Sequence, residues 1–285
     1  MKPAPFVYHD PATLDDALDV LAEHGDEAKA LAGGQSLVPL LNFRLARPEL
    51  VVDLNGVAEL AYLRKDGVLR IGAMTRAAAL ERSDSVANGW PLLREAVKLV
   101  GHPQIRSRGT VGGSVAHADP AAELPAAFAA LEARFHVRSR RRSRTLGSDA
   151  LFVMQLSTSL EPDELLVEIE VPPLPPRTGT AFVEHARVHG DFALAGAGVI
   201  VTLSEAGTCV RAAVALCAAA PTPVRAPRAE AALVGSPIDG EAARAASELA
   251  ADAVELPASQ RPYRRALVAE LARRAVLAAA GRAAR

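Results

Sequence analysis

The chain has only two cysteines in 285 residues, Cys209 and Cys217, eight positions apart. That spacing matches no zinc pair, and two thiolates are half of what an iron–sulfur cluster needs, so any cluster must belong to another chain. Long apolar runs are also missing. No stretch of about 18 uninterrupted apolar residues occurs, because arginines recur through the Ala-rich carboxyl terminus, and a spanning helix is excluded. Met1 to Asp10 lacks the apolar core of a secretory signal, so a soluble, cytoplasmic protein is expected. Net charge is nearly absent too: 32 basic residues face 33 acidic ones. This removes the electrostatic case for general nucleic-acid binding or a basic membrane surface, and favours small-molecule or protein partners.

Half of the residues are hydrophobic, enough for a sizeable core and for two domains or one domain with an appendage. Thr13 to His24 sets Leu14, Leu18 and Leu21 on one helical face, with Thr13 as N-cap and Gly25 as stop. Lys29 to Leu31 leads into a Gly-Gly turn, and Leu50 to Leu54 reads as a short buried strand. From Tyr62 to about Val171 the pattern predicts strands at Val68–Ile71 and Phe135–Val137. Helices are expected at Thr75–Ser83, Leu92–Val100 and, started by proline, Pro125–Leu131. Four prolines between Pro172 and Pro176 mark a linker. Beyond it lie two strand candidates, Ala193–Leu203 and Val210–Ala218, and helical segments from Glu241 onward.

Two loops carry the chemistry. Ala32-Gly33-Gly34-Gln35-Ser36 follows a strand, and its paired glycines let backbone amides approach a phosphate with no Cβ in the way. Taken alone, such a pair is more often a tight turn chosen for positive φ. Arg108 to Ser114 repeats the pattern with Thr110, Gly112, Gly113 and Ser114, and two glycine loops could neutralise the two charges of a pyrophosphate with amide dipoles. Neither loop fits Gly-x-Gly-x-x-Gly opening a helix or a Gly-Lys-Ser/Thr phosphate loop, which disfavours a Rossmann domain or P-loop.

Together with these loops, several segments make the sequence resemble a known family. They are Asn42-Phe43-Arg44-Leu45, His102 to Arg106, Ala116 to Glu123, Pro162 to Leu166 and His189 to Ala193. The family is the FAD-binding medium subunits of molybdenum hydroxylases, which includes carbon monoxide dehydrogenase and xanthine dehydrogenase, and the resemblance covers essentially the whole chain. It implies an α+β fold: a vanillyl-alcohol-oxidase (PCMH)-type FAD-binding domain over residues 1–176, in subdomains of about 1–60 and 61–176, and a smaller C-terminal α+β domain over 177–285. By the same resemblance, Ala32, Gly33, Gly34, Gln35, Ser36 and Leu37, with Thr110, Gly112, Gly113 and Ser114, hold the pyrophosphate of FAD. Glu123 receives the adenosine ribose, Val100, Gly101 and Ile105 lie near the adenosine, and Leu165 and Leu166 lie against the isoalloxazine ring.

The resemblance further implies electron transfer from [2Fe-2S] clusters on a small partner subunit to an external acceptor. A large molybdopterin subunit holds the substrate, and the assembly is a dimer of heterotrimers. The chain departs from many relatives in lacking a lysine on the strand after the linker, where Val183-Glu184 stands; Arg187 is the candidate substitute. The alternatives are a stand-alone flavoprotein oxidase or reductase of the same fold, and a flavin-free scaffold. No catalytic residue and no metal ligand is assigned: His185 and His189 are four apart outside any helix, and no Ser-His-Asp order or close carboxylate pair stands out. His117, beside the second loop, is equally a packing residue or a flavin contact. The arginines between Arg138 and Arg144 read as a solvated hairpin.

Overall fold

The computed structural model describes residues 2–285. The amino-terminal unit consists of β1 (Val7–His9), α1 (Leu14–His24), β2 (Ala28–Leu31), α2 (Leu37–Asn42) and β3 (Leu50–Asp53). Its three strands are parallel in the order β1-β3-β2, with Ala28 opposite Leu50 and Leu31 opposite Asp53. Thr13 caps α1 by accepting from the Asp16 amide, and Gly25 ends it at a φ of 50°. Leu14, Ala17, Leu18 and Leu21 are buried with Leu50 and Val52 of β3 in one apolar cluster, so the helical stripe read from the sequence is the face that covers the sheet.

The middle unit opens with the hairpin β4 (Leu63–Asp66) and β5 (Val68–Gly72). There follow α3 (Ala77–Arg82), α4 (Asp84–Gly89), α5 (Pro91–Leu99), α6 (Pro103–Arg108), α7 (Val111–His117) and α8 (Glu123–Ala130). The chain returns through β6 (Arg134–Arg138), β7 (Ser143–Leu146), α9 (Ser148–Leu151), β8 (Phe152–Met154), β9 (Ser157–Thr158) and β10 (Leu165–Val171). β10, the last strand of this unit, is the central strand of an antiparallel sheet ordered β4-β5-β10-β6-β7. α8 is buried along its whole length, from Glu123 to Ala130, and so carries no amphipathic pattern. It starts two residues ahead of the expected Pro125.

The carboxyl-terminal unit is β11 (Thr178–His185), β12 (Ala195–Leu203), β13 (Cys209–Cys217), β14 (Val224–Arg225), α10 (Pro227–Leu233), α11 (Gly240–Ala250) and α12 (Arg261–Ala283). The antiparallel sheet β11-β12-β13-β14 is covered on both faces. Ala195, Ala197, Val199 and Val201 pack with α10, α11 and α12, whereas Phe182, Ile200, Ala213, Ala215 and Cys217 join the core of the middle unit. That double burial makes β12 a continuous apolar run. Gly179 lets α12 lie directly on β11, because a β-carbon there would meet the backbone of Ala279 and Ala283. The proline linker joins β10 to β11, and the Trp90 indole donates to the Pro172 carbonyl at 2.7 Å.

The arginine-rich stretch is the β6–β7 hairpin, but most of its arginines are paired. Arg140 meets Asp19 at 2.7 Å, Arg138 meets Asp15 at 3.3 Å, and Arg142 and Arg144 both reach the Glu164 carboxylate. The run is an exposed hairpin whose arginines also pair with Asp15 and Asp19 of α1 and with Glu164 of the middle unit. Among the described residues no helix is long and apolar enough to cross a membrane.

Candidate cofactor-binding site

The two glycine loops, about 80 residues apart in sequence, are in contact. A β-carbon on Gly33 would meet the Arg108 carbonyl oxygen and stand 2.7 Å from the Gly109 α-carbon; one on Gly113 would stand 3.3 Å from the Ala32 β-carbon. The loops are therefore one structure.

Their backbones differ. The amides of Gly33, Gly34, Gln35, Ser36 and Leu37 donate to no acceptor among the described residues, and Gly34 sits at a φ of 74°, which concentrates these donors in a concave turn. Ser36 is exposed, and its side chain makes no cap for α2. In the second loop the amides from Val111 to Ser114 are already used: Val111 donates to the Thr75 carbonyl, Gly112 to the Ala73 carbonyl, Gly113 to the Thr110 hydroxyl, and Ser114 to the Thr110 carbonyl. Arg108 to Ser114 is also not all loop, since Thr110 caps α7 and the helix runs from Val111. Gly-Gly-Ser is a poor helix sequence; the cap and the packing of Gly112 on Ala73, too close for a β-carbon, override propensity. Free donors thus come from the first loop, and the second supplies a close floor beneath them.

A polar network that the sequence did not point to holds the loops together. Asn55 donates to the Ala32 carbonyl at 2.9 Å and accepts from Arg76 at 2.6 Å, and Arg76 also reaches the Arg108 carbonyl. Asp53 accepts from Tyr8 at 2.6 Å and from Asn55. Burial pulls the Asp53 carboxyl up, but the hydrogen bonds of Tyr8 and Asn55 and the charge of Arg108 outweigh it, holding the group below its ordinary range. Burial, then repulsion from Arg108, lowers the pKa of Arg76. Two guanidinium groups therefore stand beside the free amides. Asn55 and Arg76 also line a cavity of about 410 Å³ together with Tyr62, Met74 and Thr75. No sequence spacing signals Asn55 or Arg76, because their roles arise from the fold.

Fitted to an anionic dinucleotide, the arrangement offers unpaired amides, adjacent positive charge and glycines where side chains would intrude. The comparisons identify the family. Residues 4–174 match the FAD binding domain in molybdopterin dehydrogenase, and residues 180–279 match the CO dehydrogenase flavoprotein C-terminal domain. The chain belongs to the FAD-binding medium subunits of the molybdenum hydroxylases. It is 45% identical to the 6-hydroxypseudooxynicotine dehydrogenase complex subunit alpha of Paenarthrobacter nicotinovorans, over 90% of this chain and 86% of that one. It is 42% identical to the caffeine dehydrogenase subunit beta of a Pseudomonas species, over 85% and 82%. Its fold superposes on a chain of carbon monoxide dehydrogenase from Hydrogenophaga pseudoflava with a TM-score of 0.95, at 40% identity and 99% coverage of each chain.

The other expected contacts of this medium subunit are placed as follows. Gly101, at a φ of 49°, packs on Ile105, which is partly exposed. Arg106, next to Ile105, is buried, donating to the carbonyls of Val100 and Gly101 and pairing with Glu81 at 2.8 Å. The C-terminal loop at Gly190 closes on His102 so tightly that no β-carbon fits at Gly190. His117 lies half-buried at the end of α7. Glu123 is 7% exposed at the start of α8; burial first, then Glu184, pushes its carboxyl up to about 8. Leu165 and Leu166 point to opposite faces of β10: Leu165 packs in the cluster behind Ala32, and Leu166 in the core of the middle unit. Arg187 is exposed and pairs with Asp191 within its own loop, at 3.1 Å.

Proposed function

We propose that the pyrophosphate of FAD is held by the amides of Gly33 to Leu37, with Ala32, Thr110, Gly112, Gly113 and Ser114 forming the wall beneath it. The observation that carries this reading is the run of amides with no protein acceptor around left-handed Gly34. Such a run is stable in a folded chain only when water or a ligand completes it. Arg76 and Arg108 add positive potential, Gly101 and Ile105 border the adenosine, and Glu123 receives hydroxyls of the cofactor. Residues 1–176 form the binding domain and residues 177–285 the domain that closes on it, in line with the two family matches.

The bound flavin supplies the one- and two-electron chemistry. The chain's own residues bind it, exclude water around it and fix its orientation. The subunit accepts electrons from [2Fe-2S] clusters of a small partner and passes them to an external acceptor, while a large molybdopterin subunit holds the compound oxidised. Relatives named as medium chains and subunits of dehydrogenase complexes support this over a stand-alone oxidase or reductase. A dimer of heterotrimers is the assembly the family resemblance implies. A cytoplasmic site suits the two free thiols Cys209 and Cys217.

The test is Ser36→Asp, which places a carboxylate among the free amides at an exposed position. Titrated with FAD, the wild type should show the flavin absorbance of a stoichiometric complex, and the variant at least tenfold weaker binding with an unchanged thermal midpoint. Equal affinity in both proteins would remove the pyrophosphate from this loop.

A further inference from the structure

The loop between β11 and β12 reaches from the C-terminal sheet to the turn ahead of α6. Its neck is fixed: the Leu194 amide donates to the His185 carbonyl at 2.7 Å, and Ala193 is buried in the core of the middle unit. Beyond the neck, residues 186–192 hold their own shape. The Asp191 amide donates to the Val188 carbonyl at 3.2 Å, and the Asp191 carboxylate accepts from the Phe192 amide at 2.9 Å and from the Arg187 guanidinium at 3.1 Å. Among the described residues, no hydrogen bond joins residues 186–192 to residues 2–176. The seat is made by shape alone. A β-carbon on Gly190 would stand 2.6 Å from His102 Cε1 and 3.1 Å from the Gly101 carbonyl carbon, and the rings of His102 and His189 lie 6.1 Å apart, tilted by 55°. Val188 and Phe192, on either side of Gly190, are 67% and 68% exposed, so the tip buries no large side chain. A segment braced within itself and seated without hydrogen bonds leaves its seat as one piece at small cost.

We propose that residues 186–192 are a latch: Gly190 resting on His102 closes the adenosine end of the cofactor site, and FAD enters and leaves when the latch lifts. The inference rests on the reading that Gly101 borders the adenosine, because Gly101 is what the loop covers. The contact requires glycine at position 190, where the φ of 82° strains any other residue and the space against the imidazole is smaller than a methyl group. His102 supplies the ring as a seat, since its side chain makes no capping hydrogen bond to α6. A latch that covers the site with little preference for the loaded or the empty chain leaves the equilibrium alone and slows both directions.

The experiment measures both rate constants of FAD with the full chain by flavin fluorescence: entry on rapid mixing with the apo-form, release after dilution of the loaded form. Gly190→Ala lifts the latch from one side and His102→Ala removes the seat from the other. Each should raise association and dissociation at least fivefold and leave their ratio within twofold of wild type. The double variant should be no faster than the faster single variant, because one seat can be lost only once. Faster release with entry at the wild-type rate is what a lost cofactor contact gives, and it overturns the latch. So do unchanged rates in the single variants, or speeding that multiplies in the double variant. His102→Ala carries the test should Gly190→Ala fail to fold. Ile105→Asp checks the underlying reading separately: wild-type FAD affinity in that variant would remove the adenosine from this end of the site.

Discussion

Gly33 lies so close to Arg108 that a β-carbon on the glycine would meet the arginine's carbonyl oxygen. One loop is thereby seated on another that folds about 80 residues later, and the glycine serves protein–protein contact as much as ligand approach. Gly33→Ala should separate the loops and abolish FAD binding while lowering stability by about 1–3 kcal/mol, the usual cost of overpacking. Ser36→Asp, which leaves that contact alone, should lose FAD with no such cost. Thermal unfolding of the two apo-variants separates the effects.

Arg106 is nearly buried, pairs with Glu81 and donates to two carbonyls on the segment leading into α6. Removing one partner of such a pair leaves an uncompensated charge, so Arg106→Met should cost about 3–5 kcal/mol in denaturant unfolding. The double variant Arg106→Met/Glu81→Leu should recover a good part of it.

Thr110 caps α7 by accepting from the Gly113 amide at 3.1 Å. Thr110→Ala should destabilise by about 1 kcal/mol, and Thr110→Ser by much less. Since Thr110 also holds the floor beneath the free amides, FAD affinity should fall in the same order when both variants are titrated.

Stability should fall as the pH rises from the ordinary Glu value of 4.5 to about 8. The Glu123 carboxyl ionises at about 8 in the folded chain, against 4.5 as its ordinary value, so the folded state holds a proton that the unfolded state releases between those limits. Its contribution is complete below 4.5 and is lost as pH rises through 8, with a slope of about 1.4 kcal/mol per pH unit. Glu164 acts in the opposite sense. Burial raises its pKa, but Arg144 and Arg142 prevail and lower it, so its contribution is lost as pH falls through that lowered pKa. The thermal midpoint of the apo-chain should therefore peak near the ordinary carboxylate range and decline from pH 5 to 8; a flat profile over that span would contradict the burial of Glu123.

Much of this was legible in the chain. The stripe of Leu14, Leu18 and Leu21 behind Thr13 gives α1 because one face of that helix is wet, and the strands β12 and β13 announce themselves as apolar runs. The elements that were missed lack a periodic signal: α7 begins with Gly-Gly-Ser, and short α2 and α10 are held by tertiary packing rather than propensity. Within the site, the glycines were visible. The division of labour between the loops was not, because whether an amide is free depends on Thr75 and Ala73, far from Val111 and Gly112 in sequence. Asn55 and Arg76 were silent for the same reason.

The central claim is that the unpaired amides of the first loop hold the cofactor's pyrophosphate, and a density map of the FAD-loaded complex tests it most directly. The account predicts phosphate oxygens within hydrogen-bond distance of the amides between Gly33 and Leu37, with α7 packed beneath them. Phosphates bound elsewhere, with those amides facing only water, would contradict it.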